Sequence, residues 1–183
     1  MRTARRAGRL VGGLIVAQMV GGVLVNFVLA APLFGSPGFL VSAATHASQI
    51  VWSVLLGLAL GALTVGIAVT ICLLVRNHAP ALALLLLALA TASLAAVVAE
   101  QISVMSMLSL SEAYANAPAA DQGSFEGLRM VVASARNWSH YIGLAIAGST
   151  IFVMYATLYR TVFVPRAIAV SAWAQPSFRS QLS

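Results

Sequence analysis

Apolar residues run almost unbroken through four stretches, roughly 10–31, 49–75, 81–108 and 141–164, and polar residues gather between them. Each stretch reaches the ~20 residues an α-helix needs to cross a hydrocarbon core of ~30 Å. The pattern predicts an all-α, integral membrane four-helix bundle, with residues 1–183 forming a single transmembrane domain. Pro32, Gly35, Pro37 and Gly38 break the first helix. Thr45 or Ser48 is placed to cap the second. Arg76, Asn77, His78 and Pro80 form a tight turn. The third stretch is long enough to tilt or to project from the membrane. A polar connection follows, carrying Glu112, Asn116, Pro118, Asp121 and Glu126. The fourth helix is expected to begin near Ser124, before it enters lipid, and to end at Pro165. A loosely ordered polar tail spans 171–183, with Trp173 as an interfacial anchor.

Composition agrees with burial in lipid. Hydrophobic residues make up 61% of the 183-residue chain and charged residues 8%, with a mean hydropathy of +0.96, whereas soluble domains carry about 25% charge. The net charge of +6 is carried by arginine alone, since lysine is absent. These arginines flank apolar spans, so they point to the bilayer and its anionic lipids, above all at Arg2, Arg5, Arg6 and Arg9, and not to nucleic acid. Eight of them (Arg2, Arg5, Arg6, Arg9, Arg76, Arg160, Arg166 and Arg179) fall on one side of the predicted topology and only Arg129 and Arg136 on the other. The positive-inside rule then puts both termini in the cytoplasm, N-in/C-in. The first apolar stretch exceeds the ~7–15 residues of a signal-peptide core and contains Gln18 and Asn26, so it reads as a retained helix. The lone Cys72 lies within the second span and reads as a small apolar residue.

In lipid the polar residues carry the information, because each is costly unless partnered. Gln18, Gly22 and Asn26 share one face of the first helix at four-residue spacing. His46, Gln49 and Ser53 share a face of the second. Glu100 and Gln101 lie about twenty residues into the third, with Ser103 one turn beyond Glu100. Arg136 and His140 are an i, i+4 pair on the fourth, flanked by Asn137, Trp138 and Tyr141. All fall toward the outward-facing half, so four helices bring polar groups to one depth. Arg136 and His140 are the natural partners of the Glu100 carboxylate. Small residues mark helix contacts: Gly13, Ala17 and Gly21 in the first span, Gly57 and Gly61 in the second, Gly143 and Ala147 in the fourth. They read as packing within the bundle, with contact between copies as the alternative.

The chemistry open to this cluster is limited. His46 and His140 could supply axial ligands to a b-type haem, and with Glu100 they could form a metal site, but the chain has neither an HxxxH nor an HExxH spacing. Met105, Met107 and Met130 raise copper only weakly against their use as core or lipid-facing residues. No GxSxG, phosphate-binding loop or dinucleotide fingerprint is present. The binding candidates are His46, His140, Glu100, Arg136, Asn26 and Gln49, with no catalytic set, no metal and no required cofactor.

The opening Thr3-Ala-Arg-Arg-Ala-Gly-Arg-Leu and the run Ser139-His-Tyr-Ile-Gly-Leu-Ala-Ile-Ala-Gly, continuing through Leu158-Tyr-Arg to Val164-Pro-Arg-Ala-Ile-Ala-Val, resemble a bacterial multi-pass membrane family known as domain of unknown function 4386. The resemblance implies a multi-pass protein of the bacterial inner (plasma) membrane and brings no activity with it. Members of that family usually continue past the Pro-Arg turn into further membrane helices. Here the chain reaches Val170 and passes into a polar tail, as in a short or truncated member. Two functional classes follow. One is a non-enzymatic structural, accessory or partner-binding subunit, as a homo-oligomer or with another membrane protein. The other is a small-molecule or cofactor site, haem or metal, in the outward-facing polar cluster.

Overall fold

A computed structural model describes residues 2–118 and 120–160. The expected stop at Pro165, the Arg166 and Arg179 charges, the Trp173 anchor and the 171–183 tail lie outside the described residues. Within them the protein is all α-helical, with α1 at Arg2–Val23, α2 at Ala31–Phe34, α3 at Phe39–Ser42, α4 at Ala47–Val75, α5 at Pro80–Asn116 and α6 at Gln122–Arg160. Four segments, Val11–Leu29, Ala44–Val75, Pro80–Asn116 and Gln122–Thr157, are long and apolar enough to cross a membrane. The exterior agrees, since Phe27, Trp52, Leu84 and Ile142 all stand mostly exposed. No water-facing surface would tolerate that density of large apolar groups.

The long helices run antiparallel in sequence order. Gln18 reaches Thr64 and Gln49 reaches Val28, which sets α1 against α4. A turn at 76–79 returns the chain into α5, with Pro80 at the first helical position, where its missing N–H costs nothing. The N-terminal end of α1, the 76–79 turn and the end of α6 therefore share one end of the bundle, here called the turn end. The opposite end is closed by residues 30–46, here called the cap.

The cap is more structured than its Pro and Gly content implies. α1 passes into a π-helical turn, Leu24–Leu29, before α2. Gln49 Nε2 donates to the Val28 carbonyl in this turn, 2.8 Å away, so a side chain meets an acceptor that the widened helix leaves available. Gly38 takes φ 108 at the start of α3, a region that disfavours a Cβ. Ser111 pins the cap to α5: its Oγ donates to the Leu40 carbonyl at 2.9 Å and accepts from the Ala44 N–H at 2.8 Å, fully buried. Neither Thr45 nor Ser48 caps α4. A short 3₁₀ turn, Ala44–His46, leads into the helix, His46 occupies the capping position, and no side chain bonds there. Thr45 Oγ1 and His46 Nδ1 instead reach back to the Ser42 carbonyl, both at 2.9 Å.

The packed interior divides in two. Leu33, Phe39, Leu40, Ile50, Met107 and Leu108 belong to a core beneath the cap. Ile67, Ile71, Val75, Ala83, Leu86 and Val153 belong to a second core toward the turn end, with Cys72 half-buried against it. Between them the helices meet through small residues. A Cβ on Gly57 would lie 2.9 Å from Gln101 Nε2, one on Gly61 3.0 Å from Leu94 Cδ1, and one on Gly21 2.7 Å from Leu60 Cδ2. These are contacts within the bundle. Gly13, Gly22 and Gly66 would each project a Cβ into open space.

The contrast gives a direct stability test. Gly61→Leu forces side chains into Leu94 and Val97 and is expected to cost about 1–3 kcal/mol, whereas Gly66→Leu meets nothing. Thermal unfolding in detergent should fall clearly for the first and stay near wild type for the second.

Candidate functional site

The polar cluster assembles on α5 and α6. Arg136 Nη2 donates to Glu100 Oε1 at 2.9 Å, and His140 Nδ1 meets the same oxygen at 3.0 Å. A carboxylate oxygen only accepts, so Nδ1 carries the proton in this contact. The spacing explains the geometry: Arg136 and His140 are one turn apart on α6, so both project over the same patch of α5. The side chains of Arg136, Glu100 and His140 are 11%, 17% and 29% exposed. From the cap side Phe34 of α2 places its ring 4.5 Å from the Arg136 guanidinium carbon, within the ~6 Å of a cation–π contact. By contrast Arg129 and Glu126 form an exposed i, i+3 pair at 2.7 Å, of a kind that adds little stability.

The triad lies within the membrane. Gln101 packs against Gly57, the eleventh residue of the 29-residue α4, which sets this level about 15 Å along a helix about 43 Å long. Any hydrocarbon core of ~30 Å fitted within that length contains the level.

Beside the triad is a cavity of about 840 Å³ bounded by all four long helices. Glu100, Arg136, His140, Gln101 and Asn26 line it on one level, and Ser93, Gln18 and Thr64 lie deeper. Most of the remaining wall is aliphatic. Gln18 Nε2 donates to Thr64 Oγ1, a 2.6 Å bond that ties α1 to α4 across it. Asn26 Nδ2 is turned back onto the Gly22 carbonyl at 2.9 Å. Ser93 Oγ, Gln101 Oε1 and Arg136 Nε belong to residues of the wall but are themselves buried out of contact with the cavity, and none has a hydrogen-bond partner.

Of the six binding candidates, the structure gathers Glu100, Arg136, His140 and Asn26 at the cavity. His46 and Gln49 are not on its wall; they belong to the cap, engaged with Ser42 and Val28. His46 and His140 thus do not line one pocket as a pair of axial ligands would. Among the described residues no three of His, Cys, Asp and Glu come together as a metal-binding group. Met107 is buried under the cap and Met130 is exposed. Ser93 and Phe34 were not singled out from sequence, and Gln101, named in the polar cluster, was not among the binding candidates. Ser93 and Gln101 had a signal available: eight residues apart, they share one face of α5 with Val97 and Val104.

These features define a multi-pass α-helical membrane protein with an ion-paired polar level inside its bundle. The chain belongs to the family described as Domain of unknown function (DUF4386), whose model matches residues 10–174. No curated protein and no solved structure matches it.

The pairing makes a specific energetic prediction. Glu100→Ala strands Arg136 in a low-dielectric site and is expected to cost about 3 kcal/mol. Glu100→Gln combined with Arg136→Gln removes both charges and should be milder than its two single changes summed, by about 1 kcal/mol or more. Unfolding midpoints of the four variants in one detergent measure this. Additivity would show that the two groups do not interact.

Proposed function

We propose that this protein binds a small molecule inside the bundle, in the cavity beside Glu100, Arg136 and His140, and that it has no catalytic role. The supporting observation is the cavity's size together with the polar groups on an otherwise aliphatic wall. A volume of about 840 Å³ falls in the ~300–1,000 Å³ range of small-molecule sites. Its wall carries the ion-paired Glu100, Arg136 and His140 together with Asn26. Intramembrane ionisable residues also mark sites more often than scaffolding.

The setting is the bacterial inner membrane, with both termini cytoplasmic and the cap outside. This orientation rests on the arginine bias and on the topology that puts Arg9, Arg76 and Arg160 at the turn end. Arg2, Arg5, Arg6 and Arg9 there meet anionic lipid headgroups, each for about 1 kcal/mol. The polar level then faces the outer half of the bilayer.

Two experiments test this reading, both in a Cys72→Ser background. Ser36→Cys and Asn77→Cys, exposed at opposite ends, should label with an impermeant thiol reagent from opposite faces of inverted and right-side-out vesicles. Labelling from one face would overturn the topology. Ala147→Cys, half-buried on the cavity wall, should react with the membrane-permeant reagent monobromobimane, while Ala90→Cys, at a fully buried position off the cavity wall, should not. Equal inertness of the two would mean the cavity is closed or filled by the chain itself.

A further inference from the structure

The cap contributes Ala30, Leu33 and Phe34 to the cavity wall. Ala30 and Leu33 are buried, whereas Phe34 is 52% exposed. Phe34 is therefore where the cap's share of the wall reaches the exterior. Its ring lies 4.5 Å from the Arg136 guanidinium carbon and covers a side chain that is only 11% exposed. An apolar ring laid over a cation attracts it and keeps water off that face. Among the described residues α1 and α6 barely touch. α2 reaches over from the end of α1 and meets α6 through this stack.

The way α2 is held differs along its length. The π-helical turn Leu24–Leu29 precedes it, and Gly35, Ser36, Pro37 and Gly38 follow. Its first half is anchored, because Leu33 belongs to the cap core and Ser42 Oγ donates to the Pro32 carbonyl at 2.5 Å. Its tip is not. Residues 34–37 are exposed. The backbone bonds there, from the Gly35 N–H to the Ala31 carbonyl and from the Gly38 N–H to the Gly35 carbonyl, stay within the segment. The only hydrogen bond, ion pair or ring contact that ties this tip to a long helix, among the described residues, is the stack of Phe34 on Arg136. One such contact breaks and re-forms readily, and Gly38, at φ 108, is a residue able to absorb the backbone rotation.

We propose that the tip of α2 is a lid over the cap end of the cavity, with Phe34 as its seal and Arg136 as its latch. Lifting the ring opens the level of Glu100, Arg136 and His140 to the solution at that end. Lowering it encloses the occupant. Arg136 then has two tasks, since Glu100 holds it in place and it holds the lid. This rests on the small-molecule reading above and adds how the site is entered.

The experiment uses the full chain carrying Cys72→Ser and Gly143→Cys in phosphatidylcholine nanodiscs, where both ends of the protein meet solution whatever its orientation. Gly143 lines the cavity one turn from His140, and a Cβ there makes an ordinary contact, 3.8 Å from Ala96 Cβ. The rate of thiol modification is read with two reagents. Monobromobimane dissolves in lipid; 2-sulfonatoethyl methanethiosulfonate carries a fixed charge that confines it to water. Phe34→Ala should speed the charged reagent by about tenfold, the worth of one partly desolvated cation–π contact. Phe34→Leu, which fills space without a π face, should speed it as well. Phe34→Trp keeps a π face for Arg136 and should stay near wild type. Val41→Ala, at another cap position 52% exposed but off the cavity wall, should change nothing. If monobromobimane reacts and Phe34→Ala leaves the charged reagent no faster, the lid is overturned and the cavity reading stands. A wild-type rate in Phe34→Leu would overturn the latch. Equal acceleration by Val41→Ala would mean a generally loosened cap and would overturn the lid too. A thiol that neither reagent modifies in any variant would defeat the cavity reading itself.

Discussion

A carboxylate inside a bilayer sets the terms for this bundle. Glu100 sits at a depth where an unpaired charge is untenable, and Arg136 and His140 of the next helix both bond its Oε1. That pairing fixes the register of α5 against α6, since sliding either helix by a turn would separate the charges. Among the described residues α5 and α6, the two longest helices, are also the most extensively packed pair. The pair need not stabilise the fold relative to an apolar replacement, because desolvating two charges offsets much of their attraction. What it provides is one definite alignment and a polar wall in an apolar setting.

That wall is left partly open because packing is concentrated elsewhere. The cap core and the turn-end core fill the two ends of the bundle with large side chains. Between them Gly57 admits Gln101 and Gly61 admits Leu94 and Val97, so α4 and α5 approach closely at the level where α1 and α6 stand apart. Small residues on one seam and a missing contact on the other are two aspects of one arrangement. Phe34, reaching down from the cap to stack on Arg136, joins the polar level to the cap.

Much of this was legible in the sequence because the bilayer simplifies the reading. Four apolar runs gave four helices, and the few polar residues within them gave the level of the site. Glu100, Arg136 and His140 were readable as partners since helical rise converts position directly into depth. Less legible was anything set by backbone detail. The 30–46 connection reads as a breaker-rich loop, yet its Leu33, Phe39 and Leu40 are buried and it folds into short helices. His46 shares a helix face with Gln49 only if the helix begins before it; the 3₁₀ turn at 44–46 rotates it onto Ser42 instead. The π-helical turn that engages Gln49 has no sequence signature. Nor did residue spacing reveal which glycines meet a neighbour: Gly13 and Gly21 belong to one small-residue series, yet of the two only Gly21 is pressed against another helix.

The most direct test of the account is an experimental density map of the protein in a lipid nanodisc. The account predicts Glu100 in contact with both Arg136 and His140, and density for an occupant in the cavity between the four long helices. A map with Glu100 turned toward lipid or water, or with α1 packed against α6 and no space between them, would contradict it.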